Sequence, residues 1–189
     1  MARRPPDSAT LLGIARACAD VFVAAGDSSP TVAALVAASG VSERSFHRYF
    51  PTKADCLRPL FDDGNDAYAA ALAAQPAGLS LGEAVTRAFV AANDSMTDDA
   101  SRAFMRTVFG DLALRRVWLE ASYATAEVLR PAVAARIGAP ERAVATTVAC
   151  GQAIVLAISA LAHMVEDGLT ASEAAAAAGA ALFAGERHE

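Results

Sequence analysis

At 189 residues the chain is long enough to bury a substantial core and to form one or two domains. It is 54% hydrophobic, largely through alanine, and few segments alternate apolar and polar residues, so the composition predicts an all-α protein with almost no strand. The net charge of −5 argues against a histone-like protein that binds nucleic acid through bulk charge.

Charge is divided unevenly along the chain. Residues 1–55 carry six Arg/Lys and five Asp/Glu, a balance of +1, and residues 56–189 carry ten and sixteen, a balance of −6. A compact DNA-reading module needs cations placed against phosphates and does not need a basic whole chain. The charge balance therefore leaves nucleic-acid binding open for the N-terminal part.

The three cysteines, Cys18, Cys56 and Cys150, lie far apart in helical surroundings. They form no CxxC motif or Cys/His cluster, so we expect neither a metal site nor a bound cofactor. Buried free thiols suit a reducing compartment, which predicts a cytoplasmic protein. The N-terminus has two arginines but no apolar stretch behind them, so we expect no signal peptide.

The first helix is predicted at residues 9–25. Its apolar side chains recur at helical spacing on one face, and they include Ile14, Val21 and Phe22. Gly26 is a natural stop, because glycine tolerates the left-handed backbone that ends many helices.

Residues 31–53 have the pattern of a helix-turn-helix that ends in the chain's only lysine, Lys53. Thr31 can cap a second helix at about 32–38, and Ser42 can cap a third at about 43–49. Gly40 supplies the turn between them, at a positive φ. The expected small core consists of Leu35, Val36, Val41, Phe46 and Phe50 with the first helix.

The third helix carries a polar set that could enter a major groove. Arg44 and Arg48 are four residues apart, so they share a face and could read guanine edges or clamp phosphates. The structural alternative is a solvated helix face. The full polar set is Ser42, Glu43, Arg44, Ser45, His47 and Arg48.

Six further helices are predicted, which gives about nine in all. Pro131 could kink the longest of them. Their expected ranges are 53–74, 80–95, 98–110, 112–136, 140–167 and 171–184.

Over about residues 11–60 the chain resembles the DNA-binding domain of the TetR family of transcriptional regulators. The resemblance implies an N-terminal helix-turn-helix domain at 1–53 and a C-terminal ligand-binding and dimerisation domain at 54–189. The residues that carry it are Gly26, Thr31-Val32, Leu35-Val36, Ser39-Gly40-Val41-Ser42, Phe46 and Tyr49-Phe50-Pro51-Thr52-Lys53.

The same resemblance implies roles for single residues. Thr31, Tyr49 and Lys53 correspond to phosphate contacts, and Arg44 and Ser45 occupy the base-reading region. Two positions depart from the family pattern, because Arg44 replaces a small residue and His47 replaces a tyrosine, so the operator sequence cannot be transferred. The candidate DNA contacts are Thr31, Ser42, Arg44, Ser45, His47, Arg48, Tyr49 and Lys53.

The helix at 140–167 is apolar on too many faces for the surface of a monomer, and its alanines and Gly151 allow close helix approach. The resemblance implies a homodimer through about 140–167 and 171–184. A membrane span over 143–165 is the alternative, since those residues carry no charge. Five polar side chains and the lack of flanking Lys/Arg clusters argue against that span.

Large apolar side chains in the C-terminal part could line a pocket for a small hydrophobic effector, although packing in a core is the alternative for each of them. Asn93 and Gln152 could orient such a ligand. The candidate ligand residues are Phe89, Asn93, Met96, Phe104, Met105, Phe109, Trp118, Tyr123 and Gln152.

No catalytic motif is visible: there is no Gly-rich phosphate loop, G-x-S-x-G or HExxH. This predicts a non-enzymatic protein, and the resemblance implies a ligand-responsive DNA-binding regulator, most simply a repressor that binds a pseudo-palindromic operator as a homodimer. The alternative is a small-molecule-binding helical protein or enzyme with an incidental helix-turn-helix.

Overall fold

The structure is a computed structural model that describes residues 6–94, 96 and 98–184. Over these residues the chain is helical, with nine α-helices, one 3-10 helix and no strand, which confirms the predicted all-α class. The α-helices are α1 (Ser8–Ala25), α2 (Val32–Ser39), α3 (Glu43–Tyr49), α4 (Arg58–Ala73), α5 (Leu81–Asn93), α6 (Asp99–Gly110), α7 (Leu112–Ile137), α8 (Val144–Glu166) and α9 (Ala171–Leu182).

The predicted helix at 53–74 is two elements in the structure. A 3-10 helix covers Ala54–Leu57, and α4 begins at Arg58. In one continuous helix Pro59 would lack its N–H and its ring would meet the carbonyl of Asp55, four residues earlier. Near the start of α4 a proline is tolerated, so the break lies just before it.

α8 begins later than predicted, at Val144 instead of residue 140. Pro140 and the residues after it form a turn, in which the Pro140 carbonyl accepts from the Ala143 N–H at 2.9 Å and from the Thr146 hydroxyl at 2.8 Å. Elsewhere the helix ends agree within a few residues, although the predicted end of the fifth helix, at 95, lies outside the described residues.

Packing divides the chain into two compact units. The first consists of Met1–Asp63 with Ala103–Ala121, and the second of Gly64–Arg102 with Ser122–Glu189. These compact units do not coincide with the predicted domains 1–53 and 54–189. The predicted functional boundary between residues 53 and 54 stays a prediction.

The first unit is built on α1, which packs on α2 and on the 3-10 helix. Five of the expected core side chains are buried, whereas Val21, Val36 and Val41 are only half-buried. Cys18 and Cys56 are buried here as free thiols. The five buried side chains are Ile14, Phe22, Leu35, Phe46 and Phe50.

The second unit packs α5, α8 and α9 around an apolar core. Tyr68 is buried in that core, where its hydroxyl donates to the Ala153 carbonyl at 3.2 Å and burial raises the pKa of the phenol. The guanidinium of Arg136 donates to three carbonyls between α4 and α5, which holds that loop in place. These carbonyls belong to Gln75, Pro76 and Leu79.

Two of the described helices, Ser8–Ala25 and Val144–Glu166, are long and apolar enough to cross a bilayer by length and composition. Core helices of soluble proteins meet the same criteria, so this is a weak indication of a span. The apolar face of α1 packs in the core of the first unit, so packing within the protein accounts for its apolar residues.

Candidate nucleic-acid interface

The helix-turn-helix forms through local hydrogen bonds that the sequence predicts. The Thr31 hydroxyl accepts from the Ala34 N–H at 3.2 Å, and the Ser42 hydroxyl accepts from the Ser45 N–H at 3.2 Å, so both caps are present. Gly40 ends α2 with φ +70°, as expected of a turn that requires the left-handed region. Together these contacts fix where α3 begins.

α3 has one buried side and one polar side. Phe46 is 1% exposed and lies edge-on to Phe50, with ring centroids 5.1 Å apart, which anchors the helix to the core. The polar side therefore points away from the core and has the chemistry required to meet base edges. Its exposed members are Ser42, Glu43, Arg44, His47 and Arg48, and Ser45 and Tyr49 are half-buried.

Arg48 holds the side chain of Tyr49. Its guanidinium donates to the Tyr49 hydroxyl at 2.8 Å and lies 4.8 Å from the centre of the ring. The phenol is thus fixed at the end of α3 beside a cation. Such a pair can present a hydroxyl and a positive charge to one phosphate.

Glu43 is the first residue of α3, and sequence reasoning left it out of the candidate DNA contacts. Its carboxylate lies 3.8 Å from the ring Nε2 of His47, one turn along the helix. A carboxylate at this position could accept from a cytosine amino group and would be repelled by phosphate. The sequence feature that could have identified Glu43 as a candidate is its position directly after the Ser42 cap, in the first turn of α3.

Lys53 lies beside the start of α2. Its ammonium donates to the Pro30 carbonyl at 3.0 Å, which brings it next to Thr31 although the two are far apart in sequence. The element that follows Lys53 is the four-residue 3-10 helix and not the long helix that was predicted. Thr31 and Lys53, both predicted phosphate contacts, are therefore neighbours.

The predicted ligand residues do not fall in one compact unit. Phe104, Met105, Phe109 and Trp118 belong to the first unit, and Phe89, Asn93, Met96, Tyr123 and Gln152 belong to the second.

Several members of this set are engaged in packing or exposed to solvent. The rings of Phe109 and Trp118 lie 4.7 Å apart, and Tyr123 is 79% exposed. Asn93 donates to the Phe89 carbonyl within its own helix, at 2.9 Å. The ligand role of the set stays a prediction.

A surface cleft of about 520 Å³ lies in the second unit along α5 and α9. None of its lining residues belongs to the predicted ligand set. The lining residues are Ser80, Gly82, Glu83, Thr86, Arg87, Ala176, Gly179, Ala180 and Phe183.

The fold of α1 to α3 and the polar face of α3 are those of a helix-turn-helix domain. Residues 14–60 match the model of the family described as bacterial regulatory proteins, tetR family. This match confirms the resemblance over the helix-turn-helix, which lies within an all-helical fold. Regulators of this family bind DNA operators, typically as dimers, and are typically non-enzymatic.

Solved structures show the same fold over almost the whole chain. Salmonella enterica GusR is similar with a TM-score of 0.59 and 16% identity, over 93% of this chain and 94% of that one. A TetR-like transcriptional regulator from Rhodococcus sp. RHA1 has a TM-score of 0.53 and 16% identity, over 98% and 100%. No curated protein matches the sequence.

Proposed function

We propose that the protein is a cytoplasmic transcriptional repressor that binds a pseudo-palindromic operator as a homodimer and releases it when a small hydrophobic effector binds. α3 enters the major groove, with Arg44 and Ser45 toward the bases. Thr31, Tyr49 and Lys53 contact phosphates on either side of the groove. DNA contact is thereby divided between a helix that reads sequence and flanking residues that set its position.

The grouping of Thr31 and Lys53 is the observation that carries this proposal. Lys53 Nζ lies 3.0 Å from the Pro30 carbonyl, so the ammonium is held at the residue directly before Thr31, although the two segments are far apart in sequence. A bundle that only stored or processed a small molecule would have no need of this arrangement beside an exposed polar helix. Phosphate has the geometry and charge to use both groups.

The dimer is proposed to form through α8 and α9. Val144, Val148 and Val155 on α8 are 80%, 56% and 48% exposed, and they share a stripe on that helix. α9 presents several exposed alanines, which permit close approach of helices. Burying this surface against a second copy would remove apolar area from water, which favours association.

Effector binding is proposed to act by a population shift. An effector that prefers the conformation with the wrong spacing of the two α3 helices lowers operator affinity, because both half-sites cannot then be contacted together. α4 runs from the first compact unit into the second, so movement of this helix is the proposed link.

Selection of bound fragments from the source genome tests the proposal. The purified protein should enrich a small set of fragments that share an inverted repeat, and the neighbouring genes narrow the class of effector. A protein that enriches no fragment at low salt, but binds or turns over a small molecule, would support the alternative of a helical binding protein or enzyme.

A further inference from the structure

Asp111, between α6 and α7, is bonded to two parts of the first compact unit. Its Oδ1 accepts from the N–H groups of Ala113 and Leu114, at 2.8 and 3.1 Å, and so caps the start of α7. Its Oδ2 accepts from the N–H and the hydroxyl of Ser28, at 3.0 and 2.8 Å. A helix cap needs only one oxygen, and the second one ties α7 to the loop that precedes α2.

A second tie begins one turn further along α7. Arg116 Nη2 lies 3.4 Å from Asp55 Oδ1. The other oxygen of Asp55 accepts from both the N–H and the hydroxyl of Thr52, each at 2.8 Å. Thr52 directly precedes Lys53, so this second tie ends beside Lys53, which is another of the predicted phosphate contacts.

The two ties close into a ring, because Lys53 Nζ donates to the Pro30 carbonyl at 3.0 Å. One half of the ring runs from Asp111 through Ser28 to Pro30. The other runs from Arg116 through Asp55 to Lys53. The start of α7 therefore holds both segments that carry Thr31 and Lys53.

We infer that Asp111 is a positioning residue for DNA binding, which acts by fixing the loop that sets the place of Thr31 and Lys53. The inference rests on the proposed function, and it adds a residue outside the helix-turn-helix, 83 positions from Ser28, to the DNA-binding machinery.

Charge is part of this role. Burial raises the pKa of the Asp111 carboxyl, but hydrogen bonds from Leu114, Ser28 and Ala113 outweigh that effect and hold the pKa below its usual value. The group is therefore ionised at neutral pH. Charged acceptors form stronger hydrogen bonds than neutral ones, so an amide is a poor replacement even though it has the same shape.

Asp111→Asn is the test. The amide has a single acceptor oxygen, so its NH₂ must face a donor either in α7 or at Ser28. Operator affinity should fall about tenfold, as expected for a lost bond to a charged group. Ser28→Ala removes only the hydroxyl donor and should weaken binding in the same direction by a smaller factor. Both variants are compared with wild type at equal folded fraction, measured by far-UV circular dichroism.

A double-mutant cycle separates positioning from general destabilisation. Thr31→Ala should cost less affinity in the Asp111→Asn background than in wild type, whereas Arg44→Ala should cost the same in both. Asp98→Asn is the matched control, because Asp98 also accepts from a backbone N–H three residues ahead, that of Ser101. That control should leave operator affinity unchanged.

The inference is overturned if Asp111→Asn binds as tightly as wild type, loses no more affinity than Asp98→Asn, or is fully additive with Thr31→Ala. Each of these results leaves the proposed function standing, since wild type still binds. Wild-type protein that binds no selected fragment would instead overturn both.

Discussion

Lys53 and Arg44 are proposed to make two different kinds of DNA contact. Lys53 is half-buried at the junction of two segments, where a compact ammonium suits a phosphate of any sequence. Arg44 is exposed on α3, one turn before Arg48, where a guanidinium can reach base edges. Replacing Lys53 and replacing Arg44 should therefore change DNA binding in different ways.

Lys53→Ala should weaken binding to every DNA sequence alike. Loss of one phosphate contact reduces the slope of log affinity against log salt by about one. Fluorescence anisotropy over a salt series on operator and random duplexes measures this. Arg87→Ala removes an exposed cation from α5, outside the proposed dimer helices, and is the control. An unchanged slope with unchanged affinity would show that Lys53 is no phosphate contact.

Arg44→Ala should relax sequence preference at one or two base positions. The expected cost on the cognate operator is about 1–3 kcal/mol, with little change on random DNA. Competition binding against operators with single base changes gives the measurement. If affinity for random DNA falls by the same factor, Arg44 contacts phosphate instead.

At the scale of elements, the turn between α2 and α3 depends on Gly40. Its φ of +70° is strained for any L side chain, and an added Cβ would meet no atom within 4 Å, so the whole penalty is backbone strain. Steric crowding therefore does not contribute to the requirement for glycine at position 40.

Gly40→Ala should lower the free energy of unfolding by about 1–2 kcal/mol, measured by urea denaturation. Gly64→Ala is the matched control, because Gly64 lies inside α4 with open space around it. There alanine should stabilise the protein by up to about 1 kcal/mol. Equal effects of the two substitutions would show that the turn does not require glycine.

Elements governed by local chemistry could be predicted from the sequence. The Thr31 and Ser42 caps and the Gly40 turn depend on residues within four positions of one another, and all three are present. The predicted start of the fourth helix at 53 was wrong, although Pro59 was a possible irregularity in it, because the apolar spacing continues through residues 54–57 and does not show where the proline ends the helix.

Long-range ties were beyond the reach of sequence reasoning. Asp111 has the pattern of an ordinary helix cap, and only the fold shows that its second oxygen reaches Ser28. Most of the predicted ligand residues share only large size and apolar character, which cannot show that the set divides between two compact units. Interactions that depend on tertiary contact can be recognised only in the folded structure.

At the scale of the whole molecule, the exposed valines of α8 lie in the proposed dimer interface. Val148→Asp should shift the protein toward monomer in analytical ultracentrifugation and weaken operator binding, because a charge would be placed in the proposed dimer interface. Val128→Asp is the control, since Val128 on α7 is exposed to a similar degree, 49% against 56%. A dimer that withstands Val148→Asp would place the interface elsewhere.

The pattern of DNA protection depends both on the proposed dimer and on the proposed entry of α3 into the major groove. A homodimer that inserts two α3 helices should protect two half-sites related by an inverted repeat, with centres about one helical turn or a multiple of it apart. Hydroxyl-radical footprinting of a selected genomic fragment measures this most directly. Two symmetric protected half-sites are the predicted result, and uniform protection without a repeat, or no protection at any fragment, would contradict the account.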